Sequence, residues 1–222
     1  MKVVAVVPCY NEERTVAEVI RATQPFVDDV VVVIDGGRDR SAQVARAAGA
    51  CVVEHCVNRG LGASLGTGIR AARLLGADAV VTLDADGQMR SDEIPLFVKK
   101  IEEGYHAIIG SRMIEFKGNM PLLRRLYQRV GNVLTYVLFG LWVTDSQSGF
   151  RGFSAVGADH LEIRTDRMEV SSEIIGEIRR KQLKWTEVPI TAIYTDYSLA
   201  KGQSFSVGVK TAWKLILHRL KS

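Results

Sequence analysis

Cysteine is scarce in this chain of 222 residues, which holds only Cys9, Cys51 and Cys56. Cys51 and Cys56 stand as C-x4-C with no second cysteine pair, which argues against a zinc site. Buried, reduced thiols in a cytoplasmic protein are the expectation. Long apolar runs are missing too. The longest, residues 133–143, has 11 residues, whereas a helix crossing a bilayer needs about 20. A core helix or a segment at a membrane surface is expected there. Met1 and Lys2 lead straight into a strand-like run of valines, so no signal peptide is expected. Internal repeats and low-complexity segments are absent. The net charge of +4 is a mild excess that suits anionic partners without choosing among them. The basic residues are scattered and no recognition motif accompanies them, so nucleic acid is not expected as a partner.

What is present is alternation. Apolar, β-rich runs at 3–8, 30–34, 51–53, 79–83 and 107–110 alternate with helical patterns at 13–23, 41–48, 61–75 and 92–102. The last of these has Ser91 as its expected cap and Pro95 in its first turn. Apolar strands separated by helices imply an α/β fold, a mostly parallel central sheet with helices on both faces in a single domain. Beyond Gly110 the pattern loosens. Helices are expected over 122–143 and 169–181, and strands at 149–153 and 185–190. A basic amphipathic helix is expected over 207–220, with Ala212, Trp213, Ile216, Leu217 and Leu220 on one face and Lys210, Lys214, Arg219 and Lys221 around the other. The expected division is a domain over 1–205 followed by the basic helix within 206–222. That helix is expected either to pack on the core or to lie, with residues 134–142, at a bilayer surface.

In such sheets ligands bind beyond the carboxyl ends of the strands, and two strands end in acidic, turn-rich sequence. One runs into Ile34-Asp35-Gly36-Gly37, the other into Asp84-Ala85-Asp86. Residues two apart at a strand end project to the same side, so Asp84 and Asp86 would converge. Paired carboxylates are costly unless a cation lies between them. Oxygen ligands suit Mg2+ or Mn2+, which would also hold diphosphate oxygens, and Gln88 offers a further oxygen. The plainer reading is a turn with solvated aspartates. After the first strand, Tyr10 would stack on a base and Glu12 would bond to base or ribose, while Asn11 would cap the next helix. Asp35 would contact a nucleoside, and Asp39 would cap the helix after it. Gly60, Gly62 and Gly66 form G-x-G-x-x-x-G, one residue too long for the dinucleotide fingerprint. Those glycines are expected to serve tight helix packing.

Seven stretches stand in order from Val6 to Lys201: VVPCYNEE, VVVIDGGRDRS, NRGLGASLGTGIRAA, LDADGQ, IGSRM, VTDSQSGFRGF and EVPI. Together they resemble the family 2 glycosyltransferases, most closely the dolichol-phosphate mannosyltransferase or polyprenyl-phosphate glycosyltransferase branch. The resemblance implies a GT-A fold and a metal-dependent, inverting transfer of a hexose. The implied donor is GDP-mannose or UDP-glucose, the cofactor Mg2+ or Mn2+, and the acceptor a polyprenyl (dolichyl) phosphate. By position it implies nucleotide-sugar contacts from Pro8, Tyr10, Glu12, Val33, Asp35, Asp84, Ala85 and Asp86, with Asp84, Asp86 and Gln88 as the metal site. Arg112 falls at a donor-phosphate contact and Lys201 near the diphosphate. Asp86, Arg112 and Arg151 would be the catalytic set. Ile34 stands where the family often has an aspartate, and the C-terminal membrane helices of longer relatives are not expected here.

The chemistry assigns further roles. Arg124, Arg125 and Arg151 would hold the acceptor phosphate through paired guanidinium bonds; alternatively, Arg124 and Arg125 lie on a solvated helix face. An ionised lipid phosphate needs no general base. A hydroxyl acceptor would need one, and Asp145 is the candidate; with a lipid phosphate, Asp145 would instead orient Arg151 or a loop. A location in the cytoplasm, with peripheral contact on the membrane's cytoplasmic face, is expected. Two other readings compete. One is a catalytically silent nucleotide-sugar binding module. The other is a nucleotidyltransferase of similar architecture, which usually carries a glycine-rich basic loop after its first strand, where this chain has Pro8–Arg14.

Overall fold

The computed structural model describes residues 1–115 and 122–193, with residues 122–127 described by backbone alone. Seven strands in these residues form one sheet in the order β3-β2-β1-β4-β6-β5-β7. Strands β1 (Val3–Cys9), β2 (Asp29–Asp35), β3 (Cys51–His55) and β4 (Ala79–Thr82) run parallel. Strands β5 (Ala107–Ser111) and β7 (Trp185–Pro189) are parallel to each other, and β6 (Arg151–Ser154) runs antiparallel between β4 and β5.

The valine-rich runs form central strands because both of their faces are covered. Ala5 and Val7 of β1 join one buried cluster with residues of α1 (Val16–Thr23), α2 (Ser41–Ala47) and α4 (Ile94–Glu102). Val4 and Val6 join a second cluster with residues of α3 (Leu61–Leu74), α6 (Ala155–His160) and α7 (Val170–Arg180). Fully burying a valine is worth about 1.5–3 kcal/mol, so the alternation of faces along β1 ties both helical layers to one strand. The expected α/β architecture, a mostly parallel sheet between helical layers, is the one that forms.

Several local expectations are corrected. Helix α1 begins at Val16 rather than at residue 13, because the carbonyl of Glu12 accepts from the amides of both Thr15 and Val16 in a turn. Asn11 does not cap it; its side-chain oxygen accepts from the amide of Arg38 at 2.9 Å, joining the loops after β1 and β2. Ser91 opens a 3₁₀ turn ahead of α4, and its hydroxyl pairs with that of Thr23 at 2.9 Å in the interior instead of capping. Helix α5 (Leu122–Phe139) stops short of Val143, with Gly140 following at a φ of 70°. Strand β3 extends to His55, and α6 has no counterpart in the sequence reading; Ser154 caps it by accepting from the amide of Gly157 at 3.1 Å. Only Cys9 is buried. Cys51 and Cys56 are exposed, because β3 is the edge strand of the sheet and Cys56 lies in the turn beyond it. No helix among the described residues is long and apolar enough to cross a membrane. The expected basic helix within 206–222 lies outside the described residues.

Candidate active site

From β1 the sheet grows outward through β2 and β3, and β4 then returns to β1's other side. The loops leaving β1 and β4 therefore diverge at the point where open α/β sheets bind ligands. Tyr10, Asn11 and Glu12 leave β1; Asp84, Ala85 and Asp86 leave β4. Thr15 couples the two loops. Its hydroxyl donates to the carbonyl of Ala85 at 2.8 Å and lies 3.2 Å from the Glu12 carboxylate.

Asp86 accepts from the backbone amide of Gln88 at 3.0 Å and from its side-chain nitrogen at 2.8 Å. This tight turn puts the Gln88 carboxamide beside the Asp86 carboxylate. Asp84 is seated against the backbone of the loop before β6: a β-carbon on Gly149 would lie 2.7–2.8 Å from the Asp84 carboxylate oxygens. Burial first, and then the charge of Asp86, push the Asp84 carboxyl up to about 6, despite the opposing influence of Arg112 and Arg151. For Asp84, Arg112 and Arg151 thus do not offset burial and the neighbouring charge, and a divalent cation beside it would favour the ionised form. No group of three or more His, Cys, Asp or Glu side chains converges among the described residues. Two carboxylates and an amide oxygen would fill only part of an octahedral shell. Such a set would suit a Mg2+-type ion, which takes oxygen ligands and is held by few carboxylates.

Arg112 follows β5 and is gripped by Asp145. The guanidinium donates to the two Asp145 oxygens at 2.6 and 2.8 Å, and the Arg112 amide adds a bond of 3.2 Å. Asp145 is fully buried and also accepts from the side-chain nitrogen of Gln128 at 3.0 Å. Two parallel charged bonds are a strong, geometry-setting pair. Asp145 therefore orients Arg112, whereas the expectation was that it would orient Arg151 or a loop. Both of its oxygens are engaged, which is unlike a base waiting for a hydroxyl.

Arg151, expected in the catalytic set and at the acceptor phosphate, lies in the interior. It is only 2% exposed, and its Nη2 donates to the backbone carbonyls of Ser146 and Ser171 at 3.0 and 2.9 Å. Its Nε has no hydrogen-bond partner. Burial lowers its pKa to about 10, against the pull of Asp145 and Asp84. β6, inserted in mid-sheet, holds it as a buried cation near Asp145 and Asp84. Arg124 and Arg125 fall on α5 in the part described by backbone alone, and Lys201 lies outside the described residues.

The expected nucleotide residues divide. Tyr10 is 50% exposed, while Pro8 and Glu12 are half-buried at the same strand exit. Val33 is fully buried in the core, so its side chain does not reach a ligand. Ala85 is buried too, its carbonyl already engaged by Thr15. Asp35 is 4% exposed. It accepts from the amides of Arg59 and Gly60 at 2.9 and 2.7 Å and is bonded to His55 Nδ1 at 2.9 Å. The sequence reading passed over His55, which only the pairing of β2 with β3 brings opposite Asp35. Asp39 stands one residue before the cap position of α2, Arg40, and accepts from the amide and hydroxyl of Ser41 at 3.0 and 2.6 Å.

The glycine-rich start of α3 serves packing. The amides of Gly62 and Ala63 donate to the carbonyl of Asp166 at 2.8 and 3.2 Å, and a β-carbon on Gly62 would collide with the carbonyl oxygen of Thr165. A backbone loop thus occupies the place where a dinucleotide fold would cradle phosphate.

Comparison with known proteins fits this geometry. The family model for Glycosyl transferase family 2 matches residues 4–161. An uncharacterised protein of Methanocaldococcus jannaschii is 41% identical across 99% of this chain and 93% of its own. A UDP-N-acetylglucosamine–dolichyl-phosphate N-acetylglucosaminyltransferase of Methanococcus voltae is 32% identical across 97% of this chain and 95% of its own. Among solved structures, glucosyl-3-phosphoglycerate synthase of Mycobacterium tuberculosis, in complex with Mn2+, UDP and glucosyl-3-phosphoglycerate, matches with a TM-score of 0.75. Its identity is 21%, over 98% of this chain and 79% of that one.

Proposed function

Since the chain belongs to glycosyl transferase family 2, we propose that it moves a sugar, with inversion, from a nucleoside diphosphate to a polyprenyl phosphate. Its fold is of the GT-A type. The observation that carries the reading is the Asp84–Asp86 pair at the strand exit, with the Asp84 carboxyl pushed up to about 6 by burial and by its neighbour. Asp84, Asp86 and Gln88 would hold Mg2+ or Mn2+. Once bound, the ion supplies positive charge to the diphosphate that departs from the sugar. Arg112, held at two points by Asp145, adds charge-assisted donors for the same developing charge. Tyr10, exposed at the exit of β1, offers a stacking face for the nucleobase.

Two observations favour a lipid phosphate over a hydroxyl acceptor. The carboxylate that a hydroxyl would need, Asp145, has both oxygens committed to Arg112 and Gln128, whereas an ionised phosphate attacks without a base. Over residues 128–137, helix α5 also buries three polar side chains and exposes several apolar ones. Gln128, Asn132 and Thr135 are buried, while Val130, Val133, Tyr136 and Val137 are exposed, Val137 at 71%. Trp142 is exposed beside them and meets the Tyr136 ring edge-on at 5.7 Å. An apolar strip with aromatic residues suits peripheral contact with a lipid surface. The Methanococcus voltae relative is named for a dolichyl-phosphate acceptor.

The test begins with thermal shift in Mn2+, screening UDP-N-acetylglucosamine, UDP-glucose and GDP-mannose. The best donor is then assayed with dolichyl phosphate. Asp86→Ala is expected to abolish the metal-dependent stabilisation by donor while leaving the unliganded melting temperature near that of wild type. Stabilisation that survives this change would sink the metal assignment. Donor binding without transfer to any polyprenyl phosphate would favour the silent binding module.

A further inference from the structure

Helix α5 grips the loop between itself and β6 at a single short segment. Asn132 is 5% exposed, and its side-chain nitrogen donates to the carbonyl of Thr144 at 2.6 Å. Its side-chain oxygen accepts from the amide of Ser146 at 2.9 Å and from the Ser146 hydroxyl at 2.8 Å. One carboxamide therefore holds the backbone on both sides of Asp145. From the far side, Glu187 of β7 accepts from the amide and hydroxyl of Thr144 at 2.8 and 2.9 Å. Residues 144–146 belong to no helix or strand, so their conformation depends on such side-chain bonds. The side chain fixed in the middle is the one that holds Arg112.

We propose that Asn132 is a positioning residue for sugar transfer: by clamping Thr144 and Ser146 it sets the Asp145 carboxylate that aims Arg112 at the donor diphosphate. This rests on the place given to Arg112 in the proposed function. An Asn132 that merely satisfied a buried loop would contribute stability and leave Arg112 where it is. A positioning Asn132 acts only through Asp145, so the two residues would behave as one unit.

The experiment compares wild type, Asn132→Leu, Asp145→Asn, the double variant, and Thr135→Val. The last breaks a bond from the same helix to Ser172 and serves as a stability control. Two quantities are read. The first is the hydrogen-exchange rate of the Arg112 Nε–H by NMR, its resonance assigned by its loss in Arg112→Lys. Exchange is expected to be slow in wild type and Thr135→Val, and fast in Asn132→Leu and Asp145→Asn. The second is the affinity for inorganic pyrophosphate with Mn2+ by calorimetry. It is expected to fall about tenfold in Asn132→Leu, and the double variant is expected to bind no more weakly than Asp145→Asn alone. Slow exchange retained in Asn132→Leu, or fully additive losses in the double variant, overturns the proposal. If Asn132→Leu does not fold, Asn132→Ser, too short to reach both sides of the loop, takes its place. Wild type that fails to bind pyrophosphate would count against the donor reading, while the exchange rates still decide whether Asn132 aims Arg112.

Discussion

Gly149 shows how much one missing side chain determines. Asp84 rests where a β-carbon on that residue would be, 2.7–2.8 Å from both carboxylate oxygens. Gly149→Ala is therefore expected to turn Asp84 away from Asp86. Overpacking of this kind costs about 1–3 kcal/mol. The expected signature is a modest loss of melting temperature together with a large loss of Mn2+-dependent stabilisation by nucleotide, both read by thermal shift. Full retention of the metal response would show that Asp84 is not held by this contact. The cysteines give a second prediction at this scale. Burial pushes the Cys9 thiol up to about 11, whereas Cys51 and Cys56 are exposed. Native protein treated with iodoacetamide at pH 8 is expected to gain two adducts by mass spectrometry; prompt addition of a third would contradict the burial of Cys9. Among single residues, the place of Asp84, Asp86 and Gln88 just beyond a buried strand was legible because it is local, although β4 ends at Thr82 and a turn rather than the strand carries them. The grip of Asp145 on Arg112 was not, since the two are 33 positions apart and meet only where β5 and the loop before β6 come together.

Helix α5 shows what an element's sequence leaves open. Its periodicity says which residues share a face. Which face turns inward depends on what lies beneath, and here that is the loop 144–146, which Asn132 bonds, together with α7, where Thr135 meets Ser172. The helix consequently buries Asn132 and Thr135 and exposes Val133 and Val137. Val137→Asp is expected to change stability by no more than about 0.5 kcal/mol, as surface substitutions usually do. It is expected to reduce flotation of the protein with anionic liposomes severalfold. Flotation equal to wild type, or none by wild type itself, would remove this helix from the membrane contact. Strand β6 was likewise readable as a short strand, but not as an antiparallel one. Four residues, Arg-Gly-Phe-Ser, carry no direction, and the reversal brings Arg151 level with Thr82 at the end of β4, near Asp84 and Asp145.

At the scale of the whole molecule, stability, pH and metal are linked through Asp84. An ordinary aspartate titrates near 4, whereas burial and the neighbouring Asp86 push Asp84 to about 6. The folded state thus holds this proton more tightly than the unfolded chain does. The stabilisation from this group is complete below about pH 4 and is lost as the pH rises through 6. A divalent cation favours the ionised pair and opposes that loss. The melting-temperature gain on adding Mn2+ is therefore expected to be larger at pH 7.5 than at pH 5, and chelation with EDTA to cancel it. In Asp84→Asn the difference between the two pH values is expected to vanish. An equal gain at both pH values in wild type would separate the metal from this carboxyl.

The alternation of strands and helices, the α/β class, the acidic pair beyond a buried strand and the order of the seven motifs all came from sequence alone. Each depends on neighbours a few positions apart, where backbone geometry and periodicity are enough. Tertiary structure alone decided that Asp145 belongs to Arg112, that Arg151 and Val33 are buried, that a loop covers the start of α3, and that Asn132 reaches across to the loop bearing Asp145. These contacts join residues far apart in the chain, and the order and direction of the strands, which no local pattern encodes, bring them together.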